Sequence, residues 1–282
     1  MPELPETETI ARDLDGALRG AVVRSVQVVR ADVLRGDAGA TPPSRVRVLA
    51  DDLARVLTGA SFVGVSRRAK SVVIDLGAPG RIVVTPRFTG ALLLDGAPDD
   101  AYTCIRLDLA DGRTLRYHDV RRLGTVTLLP VEAFDAWSAA LGPEPLDPEL
   151  SSERFSGIIR GSTRAVKSIL MDQRRLAGVG NIYANEALWR ARIRPARRGT
   201  QVTRARCGAL LEELRAVLRE SIALRGTTFR DYRDAYGGRG GFAAKLRAYG
   251  RAGEPCLRCG AMLDSTHAIE GRQTVWCPAC QT

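Results

Sequence analysis

Apolar residues recur at four-residue spacing near the start of the chain, at Ile10, Leu14 and Leu18, with Gly20 just beyond. That spacing predicts a helix over residues 5–19, packed by one stripe and ended by the glycine. Strand-like segments follow at 22–29, 61–66, 71–76, 81–85, 91–95, 103–109, 114–118 and 124–129. Turn signals such as Asp95-Gly96 and Asp111-Gly112 separate them. Short strands in such number, with little helix between, predict a β-sandwich or barrel. Within the less regular stretch 31–59, Val48 to Leu57 reads as a helix closed by Gly59.

Leu141-Gly142-Pro143-Glu144-Pro145-Leu146-Asp147-Pro148 breaks the pattern, because closely spaced prolines forbid regular structure. Helical periodicity follows at 151–160, 164–171 and 181–191. The longest run is 203–225, with Leu210, Leu211, Leu214, Val217, Leu218 and Ile222 on one face and Gly226 as its stop. Residues 227–252, rich in Gly, Arg and Tyr, read as a loop. No internal repeat is evident. The expectation is an α+β chain: a β-sandwich domain over 1–140 led by a helix, a linker at 141–150, a helical domain over 151–240 and a cysteine-bearing segment over 241–282.

Composition fits two domains, with 282 residues, 45% of them hydrophobic and 26% charged. No apolar run reaches the ~20 residues of a membrane span, and the acidic N-terminus lacks the regions of a signal peptide. A soluble intracellular protein is expected. Net charge is +10 and unevenly spread. Residues 1–150 hold 18 Lys+Arg against 21 Asp+Glu, and residues 151–282 hold 24 against 11. A basic second half points to a polyanion such as nucleic acid. The competing reading is an arginine-rich proteome, since three of the 42 cations are lysine.

Four of the six cysteines form two C-x-x-C pairs, Cys256/Cys259 and Cys277/Cys280, 17 residues apart. That spacing predicts a tetrahedral four-thiolate zinc site on two turns, structural because no position is left for water. Arg272 lies between the pairs, where a hairpin would hold it towards a ligand.

Four further stretches carry candidate chemistry. In Gly178-Val179-Gly180-Asn181-Ile182-Tyr183-Ala184-Asn185-Glu186 a new helix begins, and its free N–H groups suit an anion. Asn181 can cap it, and Lys167 on the preceding helix can reach the same phosphate. A plain helical hairpin is the bland alternative. Tyr117-His118-Asp119-Val120-Arg121-Arg122-Leu123-Gly124 and Thr85-Pro86-Arg87-Phe88-Thr89-Gly90 are tight turns with apolar tips at Leu123 and Phe88. Such tips can serve as wedges where a nucleotide is extruded from a duplex. Lys70, in Arg67-Arg68-Ala69-Lys70, occupies a polar strand position.

The first residues, Met1-Pro2-Glu3-Leu4-Pro5-Glu6, acquire meaning in this company. With Met1 removed, Pro2 carries a secondary amine that titrates near pH ~8. Neutral, it attacks a sugar aldehyde carbon to form an iminium, which stays cationic because it has no N–H to lose. Glu3 and Glu6 are proton carriers within reach.

These motifs together resemble the formamidopyrimidine-DNA glycosylase family over nearly the whole chain. They are Pro-Glu-Leu-Pro-Glu, Arg-Arg-Ala-Lys, Tyr-x-Asp-x-Arg-Arg, Leu-Gly-Pro-Glu-Pro-Leu, Leu-Met-Asp-Gln through Gly-Val-Gly-Asn-Ile-Tyr-Ala, Tyr-Gly-Arg and the zinc site. The resemblance implies that Pro2 is the Schiff-base nucleophile and Glu3 the general acid. It assigns Lys70 to β-elimination and Arg272 to phosphate grip and δ-elimination. Arg121 would face the orphaned base, and Tyr102, Lys167 and Asn181 would contact DNA, with Glu186 a supporting acid. Residues 227–243 correspond to a lesion-capping loop. A structural zinc ion and damaged double-stranded DNA are the implied cofactor and partner. The implied protein is a cytoplasmic, nucleoid-associated, bacterial-type monomer with no membrane contact.

The chain departs from the family's pattern at the wedges. Phe88 stands where methionine is usual and Leu123 where phenylalanine is usual, which places the lesion and the opposite base in question. Two alternatives stay open: the same chemistry on oxidised pyrimidines, and a DNA-binding protein without turnover.

Overall fold

The computed structural model describes residues 1–36, 43–95 and 101–282. It contains two compact units: residues 1–139 with 224–241, and residues 140–223 with 242–282. This partition differs from the sequence reading in two respects. The segment 224–241 belongs with the strand-rich unit, and the cysteine segment belongs with the helices.

In the first unit, helix α1 (Leu4–Leu18) packs Ile10, Leu14 and Leu18 at 0% exposure, one stripe as the spacing requires. Its buried Thr7 and Thr9 hydroxyls donate to the Glu3 and Pro5 carbonyls four residues back, which satisfies them without water. Strands β1 (Val23–Val28), β2 (Gly64–Arg68), β3 (Ser71–Asp75), β4 (Arg81–Thr85), β5 (Gly90–Leu94), β6 (Thr103–Leu109), β7 (Thr114–Asp119) and β8 (Thr125–Leu129) follow. They form two antiparallel four-stranded sheets, ordered β1-β6-β7-β5 and β2-β3-β4-β8. Val72, Ile74, Ile82 and Val84 from one sheet meet Leu92, Leu94, Ile105, Leu107 and Leu115 from the other in one core. The fold is the sandwich rather than the barrel. Gly96, half of the expected Asp-Gly turn, lies outside the described residues.

Helix α2 (Pro43–Leu57) is longer than the segment read from the sequence. Helix α3 (Val131–Ala139) was not legible at all. None of its residues is fully buried, and its apolar side is the short run Val131, Phe134 and Trp137, too brief to stand out as a helical period.

The second unit holds α4 (Ser152–Arg160), α5 (Val166–Met171), α6 (Asn181–Arg190) and α7 (Arg204–Ala223), then a small hairpin of β9 (Asp264–Thr266) and β10 (Thr274–Trp276). Leu210, Leu211, Leu214, Val217 and Leu218 of α7 are fully buried. A Tyr183–Ser221 hydroxyl pair at 2.6 Å fastens α6 to α7. Among the described residues, no helix is long and apolar enough to cross a membrane.

Candidate active site

The first unit gathers its chemistry at the front of α1. Pro2 and Glu3 are buried, with Glu3 as the residue that precedes the helix. The Glu6 carboxylate turns back and accepts the Glu3 backbone N–H at 2.8 Å. This is one arm of a capping box, which fixes the backbone that presents residues 2 and 3. Glu6 is 1% exposed, and its other oxygen accepts the Thr227 N–H at 2.7 Å. The Tyr232 hydroxyl adds a bond to the Glu6 carbonyl.

The electrostatics of this corner are shared. Burial holds the Met1 α-ammonium below its ordinary range, against the opposing pull of Glu3 and Glu6, and the Lys70 ammonium pushes it the same way as burial. Lys70 sits where β2 turns into β3, next to Ala69 with its left-handed φ of 54°. Arg67 braces that turn: its guanidinium donates to the Ala69 carbonyl at 3.1 Å and to Glu8 at 2.8 Å. Glu3, Glu6 and Lys70 therefore all act on the charge of the Met1 amine, the group that precedes Pro2.

Residues 224–241 are tied to the same helix. Arg225 bridges Asp13 on α1, at 2.6 Å, and Asp234 within the loop, at 2.7 Å. Gly226, at φ 86°, passes so close to Glu6 that an added Cβ would lie 3.0 Å from its Cγ. The Gly241 N–H closes the loop's base on the Leu224 carbonyl at 2.8 Å. Phe229 and Tyr236 stand exposed on it.

The two wedge turns are knotted by Asp119, which is 1% exposed. Its carboxylate accepts the Thr89 hydroxyl at 2.6 Å, the Gly124 N–H at 2.9 Å, the Tyr117 hydroxyl at 3.1 Å and the Arg121 N–H at 3.2 Å. A Cβ on Gly124 would lie 1.9 Å from the Tyr117 hydroxyl oxygen, so only glycine fits there. Phe88, Leu123 and Arg121 emerge exposed from this knot, and the Arg121 guanidinium lies 5.1 Å from the Phe88 ring centre. Tyr102, also exposed, meets His118 edge-on at 5.8 Å.

In the second unit Lys167, expected to contact DNA, is 0% exposed, and its Nζ donates to the Gln273 carbonyl at 3.0 Å and the Thr274 hydroxyl at 2.6 Å. Asn181 does not cap α6. Gly180 precedes the helix and Asn181 is its first residue. Its Nδ2 instead donates to the Gln273 carbonyl at 3.0 Å. Asn185, unremarked in the sequence, accepts the Val275 N–H at 2.8 Å. Side chains of α5 and α6 thus hold the strand that follows Arg272, while Arg272 itself is exposed at the hairpin turn. Glu186, 0% exposed, accepts the backbone N–H groups of Arg247, Ala248 and Tyr249 and so pins the approach to the cysteines.

The Sγ atoms of Cys256, Cys259, Cys277 and Cys280 all lie within 4.8 Å of one another. A tetrahedral zinc ion with Zn–S near ~2.3 Å sets sulfur separations near ~3.8 Å, and the 3.5 Å between Cys259 and Cys277 fits. Within the cluster burial opposes ionisation of Cys256, but the Arg258 and Cys259 N–H groups outweigh it and lower the thiol, while burial and the neighbouring thiols raise Cys277 and Cys280.

Comparison with known proteins follows this anatomy. Residues 1–126 match the family described as formamidopyrimidine-DNA glycosylase N-terminal domain. Residues 141–233 match its H2TH (helix–two-turn–helix) domain, and 253–282 match the zinc finger found in FPG and IleRS. The chain is 41% identical to the formamidopyrimidine-DNA glycosylase of Novosphingobium aromaticivorans and 39% to that of Roseiflexus sp., each over 100% of both chains. Among solved structures it is similar to Lactococcus lactis Fpg in complex with abasic-site DNA (TM-score 0.87, 30% identity, 99% of both chains). It is also similar to the Thermus thermophilus protein (TM-score 0.84, 34% identity, 99% of this chain and 98% of that one). The fold and the site define a DNA glycosylase of base excision repair with a structural zinc finger. Within that class, the chain belongs to the formamidopyrimidine-DNA glycosylase family.

Proposed function

We propose that the protein is a bifunctional glycosylase and AP lyase that removes oxidised purines, formamidopyrimidines and 8-oxoguanine, and then cuts the strand by β,δ-elimination. The observation that supports this reading is the buried front of α1, where the Glu6 carboxylate fixes the backbone of residues 2 and 3 and where the Lys70 charge acts on the N-terminal amine. With Met1 removed, the Pro2 nitrogen attacks C1′ of the damaged nucleotide and the base leaves with a proton; the nitrogen then gives up its N–H proton and the C1′–O4′ bond opens, with Glu3 protonating O4′, to leave the iminium. The cationic iminium withdraws electrons and acidifies the C2′ proton. Loss of that proton expels the 3′ phosphate, and a second elimination expels the 5′ phosphate. Lys70 serves the first elimination and Arg272 the second. A low-dielectric pocket lowers the pKa of an amine, which keeps a fraction of Pro2 neutral at physiological pH.

A zinc ion held by Cys256, Cys259, Cys277 and Cys280 would supply fold rather than chemistry, since four thiolates leave no open position. The four cysteines hold it, and the hairpin between the pairs presents Arg272. The basic second half supplies backbone affinity. Damaged double-stranded DNA is the partner, and the protein acts as a monomer in the cytoplasm. A second reading, oxidised pyrimidines by the same steps, is favoured by the likeness to a Lactococcus lactis Fpg structure whose DNA contains an oxidised pyrimidine.

The test is the product pattern from end-labelled duplexes bearing 8-oxoguanine or thymine glycol. Phosphates at both ends of a one-nucleotide gap, with 8-oxoguanine cut faster, are expected. Binding to abasic DNA without cleavage would overturn the enzymatic reading, and faster cutting at thymine glycol would select the second.

A further inference from the structure

We propose that Phe88 determines opposite-base specificity by acting on Arg121, beyond filling space in the duplex; this rests on the glycosylase reading above. Phe88 is exposed at the tip of one turn and Arg121 at the tip of the next. The guanidinium carbon stands 5.1 Å from the ring centre, within the range of a cation–π contact. Neither tip is left to loop motion. Thr89, the neighbour of Phe88, sends its hydroxyl to Asp119 at 2.6 Å and receives the Arg121 N–H on the same oxygen at 3.0 Å. Asp119 accepts the Arg121 N–H as well, and the Gly124 N–H beyond it. The two turns are therefore one hydrogen-bonded body, which sets the backbones that carry the ring and the guanidinium side by side.

Arginine recognises a base edge through a planar fork of donors, so orientation determines what it accepts. A guanidinium drawn over a ring face has fewer directions in which to point its fork. A flexible or aliphatic tip at position 88 would occupy the gap without orienting its neighbour. Leu123, 41% exposed on the far side of Arg121 in sequence, supplies an apolar surface but no π face. Discrimination between a pyrimidine and a purine opposite the lesion thus belongs to the Phe88–Arg121 pair.

The experiment is a double-mutant cycle on the ratio of kcat/KM for 8-oxoguanine opposite cytosine to that opposite adenine. Phe88→Leu is expected to lower this ratio by about two- to fivefold, the size of an exposed cation–π contact. Phe88→Trp, which keeps a π face, is expected to preserve it. In an Arg121→Ala background, Phe88→Leu is expected to leave the ratio unchanged. An equal loss on both duplexes, or the same fall with and without Arg121, would overturn the proposal. Cleavage of an abasic duplex by each variant separates this result from failure of the underlying chemistry: wild-type protein that cannot cut it refutes the glycosylase/lyase reading itself.

Discussion

Glu6 Oε1 accepts the backbone N–H of Thr227 at 2.7 Å, across 221 positions of sequence. Because the other oxygen holds the Glu3 N–H, one buried carboxylate fixes both the segment that presents Pro2 and the start of the loop 224–241. Replacing it with alanine leaves two buried donors without their acceptor, at a cost of about 2–4 kcal/mol. Glu6→Ala is expected to melt earlier and to exchange its Thr227 amide faster. Glu6→Gln, which keeps one carbonyl oxygen, should show a smaller effect. Unchanged Thr227 exchange in Glu6→Ala would show that the loop does not depend on this anchor.

Asn185 bears on Arg272 through the hairpin. Its side chain accepts the Val275 N–H, and Lys167 and Asn181 converge on the preceding carbonyl of Gln273. Asn185→Leu removes the acceptor with little change of volume, a loss of about 1–3 kcal/mol. The expected phenotype is selective: full zinc content, normal base release, and accumulation of the β-elimination product at the expense of the δ product. Equal slowing of all steps would place Asn185 in general stability alone.

The Glu8–Arg67 pair, at 2.8 Å with Arg67 nearly buried, supports the turn that carries Lys70. Burial alone would raise the Glu8 carboxyl, but Arg67 and then Arg12 outweigh it and hold it below the ordinary glutamate range. A carboxyl depressed in the folded state stabilises the protein fully above its unfolded value, and that contribution is lost as pH falls through the folded value. Glu8→Gln should therefore lower Tm most near pH 7. The gap from wild type should shrink as pH drops below about 4. A gap that does not depend on pH would assign the effect to packing.

Much of this was legible in the sequence because the signals were local. Ile10, Leu14 and Leu18 announced α1 by their spacing, and the two C-x-x-C pairs announced a zinc site whose sulfurs do converge. What escaped was of two kinds. Helix α3 offers only Val131, Phe134 and Trp137 as an apolar run, too short to register as a period. Glu6, Asp119 and Asn185 each hold a group that only the fold brings near, on Thr227, Thr89 and Val275 respectively. Lys167 shows the converse: a lysine beside a phosphate-binding motif reads as a phosphate ligand, yet its burial directs it to the hairpin. The candidate DNA contacts rest on residue type and motif. Those that position them required coordinates.

The imino nitrogen of Pro2 is the atom proposed to bond to deoxyribose. Borohydride reduction of the protein with an abasic or 8-oxoguanine duplex, followed by peptide mapping, tests it directly. The expected result is a stable adduct on an N-terminal peptide that begins at Pro2, abolished by Pro2→Gly with an acetylated terminus and retained in Lys70→Ala. An adduct on Lys70 or another lysine, or none at all from a protein that still cuts the strand, would contradict it.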